Sequence, residues 1–148
     1  MKVIVDTNIV FSAILNTKSR IGKILINSKD HFQFYSCDFL KSEIYEHRNK
    51  IQKLTMLSER EVLELESVVI ENITFINEGL IPQKLTSSVE KLLKDIDLAD
   101  VPFVALTKEL NGKLWTGDKK LIAGLKVKNF TDTITTLELS NLLDELEG

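Results

Sequence analysis

The feature that most constrains the fold is a run of β-branched residues at the start of the chain. Val3, Ile4 and Val5 follow one another with no polar residue between them, whereas a strand with one face in solvent alternates apolar and polar side chains. A strand that is buried on both faces is typical of a parallel sheet covered by helices. The first strand therefore favours an α/β domain with a parallel sheet.

The rest of the chain alternates strand-like and helical patterns, which supports the same fold class. With only six glycines and two prolines, breaks are few and the elements are expected to be long. A Ser-x-x-Glu capping box opens the helix at Ser58, and its glutamates, Glu66 among them, are expected to point largely outward. The predicted strands are 1–5, 32–36, 73–76, 113–116 and a short one around 129–130, and the predicted helices are 7–15, 21–28, 38–53, 58–71, 88–94, 100–111 (ended by Gly112), 118 onward and 135–146.

Composition narrows the class of protein and its compartment. The chain of 148 residues has the size of one domain, and its net charge of −3 argues against wrapping a nucleic-acid duplex by bulk charge. The single cysteine, Cys37, has no partner for an internal disulfide and is expected to be a small buried residue in a reducing compartment. No stretch reaches the roughly 20 apolar residues of a membrane helix. We therefore expect one domain over 1–148, located in the cytoplasm and not in a membrane.

Acidic residues stand where the predicted strands end. Asp6 directly follows the first strand, and Asp118 follows the fourth strand after one glycine. The carboxyl ends of parallel strands form the edge at which open α/β sheets bind ligands. Each of these residues alone is equally well interpreted as the N-cap of the helix that follows it.

Further acids are predicted at the same edge. Asp97 and Asp100 are three residues apart at the start of an apolar helix, and Glu43 lies on the helix after the second strand. Alone, Asp100 can serve the helix dipole and Glu43 can be a solvated residue. Together, the five carboxylates would repel one another without a cation. Such a cluster is typical of a site for one or two hard divalent cations such as Mg²⁺.

At these residues the sequence resembles the PIN-domain ribonucleases. The resemblance is carried by Val5–Asn8 (Val-Asp-Thr-Asn), Ser42–Ile44, Asp97–Leu106 (Asp-x-x-Asp-x-Pro-Phe-x-Ala-Leu) and Trp115–Leu121 (Trp-Thr-Gly-Asp-Lys-Lys-Leu), in that order along nearly the whole chain. It implies a three-layer α/β/α domain with sheet order 3-2-1-4-5, a Mg²⁺ or Mn²⁺ site, and hydrolysis of RNA by metal-activated water. Many small members, similar to the VapC group, are toxins that pair with an antitoxin protein and often form homodimers.

The resemblance also implies a role for each matching residue. Asp6, Glu43 and Asp100 would be the principal metal ligands, Asp118 the fourth acid, and Asp97 a peripheral ligand. Asn8 and Thr116 match polar positions that orient ligands or water. The segment 83–94 departs from the family pattern because it is longer and more charged. Basic residues near the predicted edge that are expected to hold RNA are Lys18, Arg20, Lys119 and Lys120.

Other functions and residues were weighed on the same sequence. A phosphatase of the Asp-x-Asp type needs an acid at position 8, where this chain has Asn8, and a phosphoacceptor receiver domain needs an acceptor Asp after a middle strand. A catalytically silent PIN scaffold that binds RNA or a protein partner stays open as an alternative. His47 follows Glu43 by one helical turn, and a surface position is preferred for it over a ligand role.

Overall fold

A computed structural model describes all residues from 1 to 148. Strands and helices alternate along most of the chain, and two single-turn 3₁₀ helices cover Glu78–Leu80 and Leu98–Asp100. The strands are β1 (Lys2–Val5), β2 (Gln33–Cys37), β3 (Ile73–Ile76), β4 (Lys113–Trp115) and β5 (Thr133–Ile134). The helices are α1 (Thr7–Leu15), α2 (Arg20–Asn27), α3 (Asp38–Thr55), α4 (Glu59–Ile70), α5 (Gln83–Leu93), α6 (Val101–Leu110), α7 (Lys119–Val127) and α8 (Thr136–Glu147).

The five strands form one parallel sheet in the order β3-β2-β1-β4-β5. β1 lies at its centre, where Ile4 pairs with Tyr35 of β2 and with Leu114 of β4. Val3, Ile4 and Val5 are completely buried, as their uninterrupted apolar run predicted. The fold class and the strand order predicted from the sequence are confirmed.

Helices flank this sheet in two groups. α6 packs on β1, β2 and β4, and α5 lies beside α6. α1 contacts α2, α3 and α4, and α2 contacts α8. Because β1, β2 and β4 are neighbours, the segments that follow them meet at one edge of the sheet. This edge holds the starts of α1, α3 and α7.

The fifth strand is Thr133–Ile134, so the prediction of a strand around 129–130 was wrong. Asn129 is left-handed (φ 65°) and ends α7, where the Phe130 amide donates to the Leu125 carbonyl. Phe130 is buried and packs at this helix end. An apolar residue that anchors a helix end looks like a strand residue when only the sequence is read.

Two helix boundaries also differ from the prediction. α5 begins at Gln83, directly after Pro82, and not at residue 88; its Thr86-Ser87-Ser88 stretch concealed the helical pattern because these residues are weak helix formers. α6 ends because Asn111 is left-handed (φ 53°), and not at a left-handed Gly112. Glycine is needed at position 112 because the backbone of Lys2 passes close by. A Cβ at this position would lie 2.8 Å from the Lys2 carbonyl oxygen.

Glu66 is buried, so the prediction that it points outward was wrong. Its two carboxylate oxygens accept hydrogen bonds of 2.9 Å from Nε and Nη2 of Arg48. The pair joins α3 to α4. Burial is tolerated here because the chain supplies a two-pronged cationic partner.

No helix of the protein combines the length and the apolar character needed to cross a membrane.

Candidate active site

All five predicted acids line one cleft of about 210 Å³ at the carboxyl edge of the sheet. They reach it from four separate connections: the β1–α1 junction, helix α3, the 3₁₀ turn before α6, and the β4–α7 junction. The fold therefore collects residues that are up to 112 positions apart (118 − 6) in the sequence. They are Asp6, Glu43, Asp97, Asp100 and Asp118.

Asp6 and Asp118 serve as helix caps and line the cleft at the same time. Oδ1 of Asp6 accepts a hydrogen bond of 3.0 Å from the Ile9 amide, and Oδ1 of Asp118 accepts one of 3.1 Å from the Leu121 amide. A carboxylate has two oxygens, and the cap uses one of them. Capping and ligand binding are therefore compatible roles for these two residues.

Asp97 and Asp100 flank the 3₁₀ turn that precedes α6. Asp97 is exposed, and its Oδ1 accepts a hydrogen bond of 2.9 Å from the Ala99 amide. Asp100 is half-buried, and its side chain makes no capping hydrogen bond although it immediately precedes α6. Helix capping thus accounts for Asp97 and leaves the position of Asp100 unexplained.

Thr7 holds Glu43, a contact that the sequence reasoning missed. The buried Thr7 hydroxyl donates a hydrogen bond of 2.7 Å to Oε1 of Glu43. This bond ties the first turn of α1 to α3 across the cleft. The available signal was the position of Thr7, next to Asp6 in the first motif, but which side chain it contacts depends on how α1 and α3 pack.

His47 also lines the cleft, although a surface position was preferred for it. Its Nδ1 lies 2.9 Å from the Glu43 carbonyl oxygen. Because a carbonyl oxygen only accepts, Nδ1 is assigned the proton, which leaves Nε2 free. The ring packs against Phe11 with centroids 5.4 Å apart, so these two residues form a half-buried aromatic wall of the cleft.

The acids of the cleft carry negative charge that no cation compensates. Burial, followed by repulsion from Asp97, Asp6, Asp118 and Glu43, raises the pKa of Asp100 to about 7. Burial also raises the pKa of Asp6, an effect that Asp118 strengthens and that the Thr116 hydroxyl and nearby amides oppose.

The residues present fit a divalent cation in charge and in donor chemistry. The cleft is lined by five carboxylates and by no lysine or arginine, and hard divalent cations prefer oxygen ligands. As placed, no three of its acidic and histidine side chains surround one point as a closed ligand set. Binding of a cation would therefore require some of these side chains to change conformation.

Two polar residues for which the resemblance implied an orienting role lie next to acids of the cleft in the sequence and in the fold. Thr116 is buried at the end of β4, and its hydroxyl oxygen accepts a hydrogen bond of 3.1 Å from the Asp118 amide. Asn8 is exposed and lines the cleft. The same Thr116 hydroxyl also lowers the pKa of Asp6.

The four predicted RNA-binding residues fall in two places. Lys119 and Lys120 are exposed in the first turn of α7, directly after Asp118. Lys18 and Arg20 follow the far end of α1, about 13 Å along that helix from its cleft end. Arg20 lines a separate groove with Leu143 of α8. The structure brings the first pair beside the acids and does not bring the second.

The sequence profile of the PIN domain matches residues 4–140. The chain belongs to the PIN-domain family. The match covers every acid of the cleft, four whole strands and the second half of β1. Membership of this family supports a nuclease activity, that is, a hydrolase that acts on nucleic acid.

A solved structure shares the fold of this PIN domain at low sequence identity. It is a chain in the crystal structure of VapBC2 from Rickettsia felis bound to a DNA fragment from the VapBC2 promoter. The two chains are 14% identical and align with a TM-score of 0.68, over 91% of this chain and 97% of that chain. No curated protein sequence matches this chain. The structural likeness establishes the fold of the PIN domain and leaves its substrate to be argued from the cleft.

Proposed function

We propose that this PIN domain is a metal-dependent endoribonuclease that hydrolyses RNA phosphodiester bonds with water. The observation that supports this most directly is that five carboxylates and no lysine or arginine line one cleft. Burial and the four other acids raise the pKa of Asp100 there to about 7. Helix capping uses one oxygen each of Asp6, Asp97 and Asp118 and does not account for the position of Asp100. A cluster of this kind is useful when a divalent cation and a phosphate are to be held together.

In the proposed reaction the acids of the cleft would hold Mg²⁺ or Mn²⁺. Asp6, Glu43, Asp100 and Asp118 are assigned as ligands, with Asp97 at the periphery. When bound, the cation lowers the pKa of water and stabilises charge on the phosphate. The Thr7 hydroxyl orients Glu43, and the Thr116 hydroxyl accepts from the Asp118 amide and so holds the backbone of that residue. Asp100 must release its proton for the carboxylate to act as a ligand.

The chemical outcome follows from attack by water on phosphorus. The water oxygen forms a bond to phosphorus and loses one proton. The bond from phosphorus to the 3′ oxygen breaks, and the leaving 3′ oxygen takes up one proton. The products are a 5′-phosphate and a 3′-hydroxyl. Lys119 and Lys120 are assigned to phosphates next to the cleft, and each lost contact should reduce the salt slope of binding by about 0.7.

We further propose that the protein is the toxin of a type II toxin–antitoxin pair and acts on RNA in the cytoplasm as a homodimer. The support is the shared fold with a chain of VapBC2, a complex solved on a fragment of promoter DNA. The identity of the protein encoded by the neighbouring gene, and its co-purification with this chain, tests the pairing. A chain that purifies without a partner and does not affect cell growth when expressed would contradict it.

The nuclease proposal is tested by incubating the purified protein with labelled RNA in EDTA, in Mg²⁺ and in Mn²⁺. We expect cleavage only with a divalent cation and products with 5′-phosphate ends. Binding of RNA without cleavage under all conditions would favour the catalytically silent scaffold. Products with 2′,3′-cyclic phosphate ends would contradict attack by water.

A further inference from the structure

The segment that departs from the family pattern, 83–94, forms one wall of a second groove. This groove has a volume of about 820 Å³ and lies between α5 and the segment 98–102. Its apolar side includes Leu98, which is 55% exposed, and Val101 with Pro102. Its other side presents the lysines Lys91 and Lys94.

One segment of the chain, residues 97–103, separates the groove from the acid cleft. Along residues 97–103, Asp97, Ala99, Asp100 and Phe103 line the cleft, whereas Leu98, Val101 and Pro102 line the groove. The two hollows are therefore the two sides of one short segment. A polymer that extends from the cleft into the groove would pass over the exposed Leu98.

The charges of the two hollows differ in sign and complement each other. The cleft has five carboxylates and no lysine or arginine, so phosphates next to the scissile one must find cations outside it. Lys91 and Lys94 are exposed, and neither has a carboxylate within 4.0 Å. Glu90 is the single acid of the groove.

We propose that this groove, which we call the α5 groove, binds the single-stranded RNA that extends from the acid cleft. The inference rests on the nuclease function proposed above. Lysines for the backbone beside an exposed apolar surface for unpaired bases suit a single strand, whereas a duplex hides its bases. A second copy of this chain is a poorer occupant, because a two-fold contact here would bring together like-charged lysines.

The test measures RNA binding by full-length Asp6→Asn protein, which prevents cleavage, with and without the double change Lys91→Ala and Lys94→Ala. The matched control is Lys50→Ala with Lys53→Ala, an exposed pair with the same spacing on α3 that lines neither hollow. The probe is a labelled unstructured oligoribonucleotide. We expect the groove variant to bind roughly tenfold more weakly at low salt, with a salt slope reduced by about 1.4 for two phosphate contacts.

The outcomes separate this inference from the function on which it rests. With Asp6 restored, the groove variant should raise KM and leave kcat unchanged. If wild type is active and the groove variant has an unchanged KM and salt slope, the α5 groove does not bind RNA. The nuclease proposal is then unaffected. A change in molar mass by light scattering without a change in RNA binding overturns it in favour of self-association. Absence of cleavage by wild type refutes the nuclease, while the binding data still report on the groove.

Discussion

Glu66 and Asp6 are buried to the same extent, each 5% exposed, but their surroundings are opposite. Glu66 lies between α3 and α4, where both of its oxygens accept hydrogen bonds from Arg48. Asp6 lies at the end of β1, where burial and Asp118 raise its pKa and no side-chain cation is present. A buried acid with a cationic partner from the chain connects two helices. Asp6 has no cationic partner, and we therefore propose that its site takes a cation from outside.

The strongest expected contrast is in cleavage. Asp6→Asn and Asp100→Asn should each reduce RNA cleavage by on the order of 100-fold or more, because each removes a charge that the cation requires. Asp97→Asn should be milder, since Asp97 is exposed. Initial rates at saturating Mg²⁺ check this order. The control is Asp30→Asn at an exposed position outside the cleft, and full activity in Asp6→Asn would contradict the site.

Removing Glu66 should lower the stability of the fold and leave the cleavage rate unchanged. Glu66→Ala leaves the Arg48 guanidinium without its partner, and we expect a loss of about 3 kcal/mol in the free energy of unfolding. The double change Arg48→Met with Glu66→Leu should recover much of that loss. Urea denaturation measures both, and the cleavage rate of the folded Glu66→Ala protein should stay close to wild type. A neutral Glu66→Ala would remove the contrast with Asp6.

The hydrogen bond from Thr7 to Glu43 offers a finer test of the cleft side of the comparison. Thr7→Val keeps the shape and removes the hydroxyl, so Glu43 loses its orientation and the affinity for Mn²⁺ should fall roughly tenfold. Thr7→Ser retains the hydroxyl and is the matched control. Titration calorimetry with Mn²⁺ compares the three proteins. Equal affinity in Thr7→Val and wild type would show that the bond does not position a ligand.

The last test is the pH dependence of stability without metal, an effect that solvent screening reduces because Asp100 is only half-buried. Because the folded pKa of Asp100 is raised from 3.8 to about 7, the folded protein holds this proton more tightly than the unfolded chain does. The resulting stability is present below the unfolded pKa and is lost as pH rises through the folded pKa. In EDTA, the stability of Asp100→Asn relative to wild type should therefore increase between about pH 4 and about pH 8. Urea denaturation across that range would contradict the assignment if the difference stayed constant.

The sequence predicted the parts of this account that depend on local rules. An uninterrupted apolar strand implied a parallel sheet, and the carboxyl edge of that sheet implied where Asp6 and Asp118 would lie. The contacts of Glu66 and of Thr7 were not predictable in the same way, because they depend on how helices pack together. Glu66 is 18 residues from its partner Arg48, and Thr7 is 36 residues from Glu43. The first half of helix α5 was concealed by weak helix formers.

The central claim is that the acids of the cleft are arranged for a divalent cation. Thermal denaturation of wild type and of Asp6→Asn, in EDTA and in millimolar Mg²⁺ or Mn²⁺, tests it most directly, because asparagine still caps α1. The account predicts that metal raises the Tm of wild type, with about 2.7 kcal/mol at a hundredfold excess over Kd. It also predicts that metal-free Asp6→Asn is at least as stable as wild type and responds little to metal. A wild type without a metal response, together with a destabilised metal-free Asp6→Asn, would show that the acids are helix caps and not a cation site.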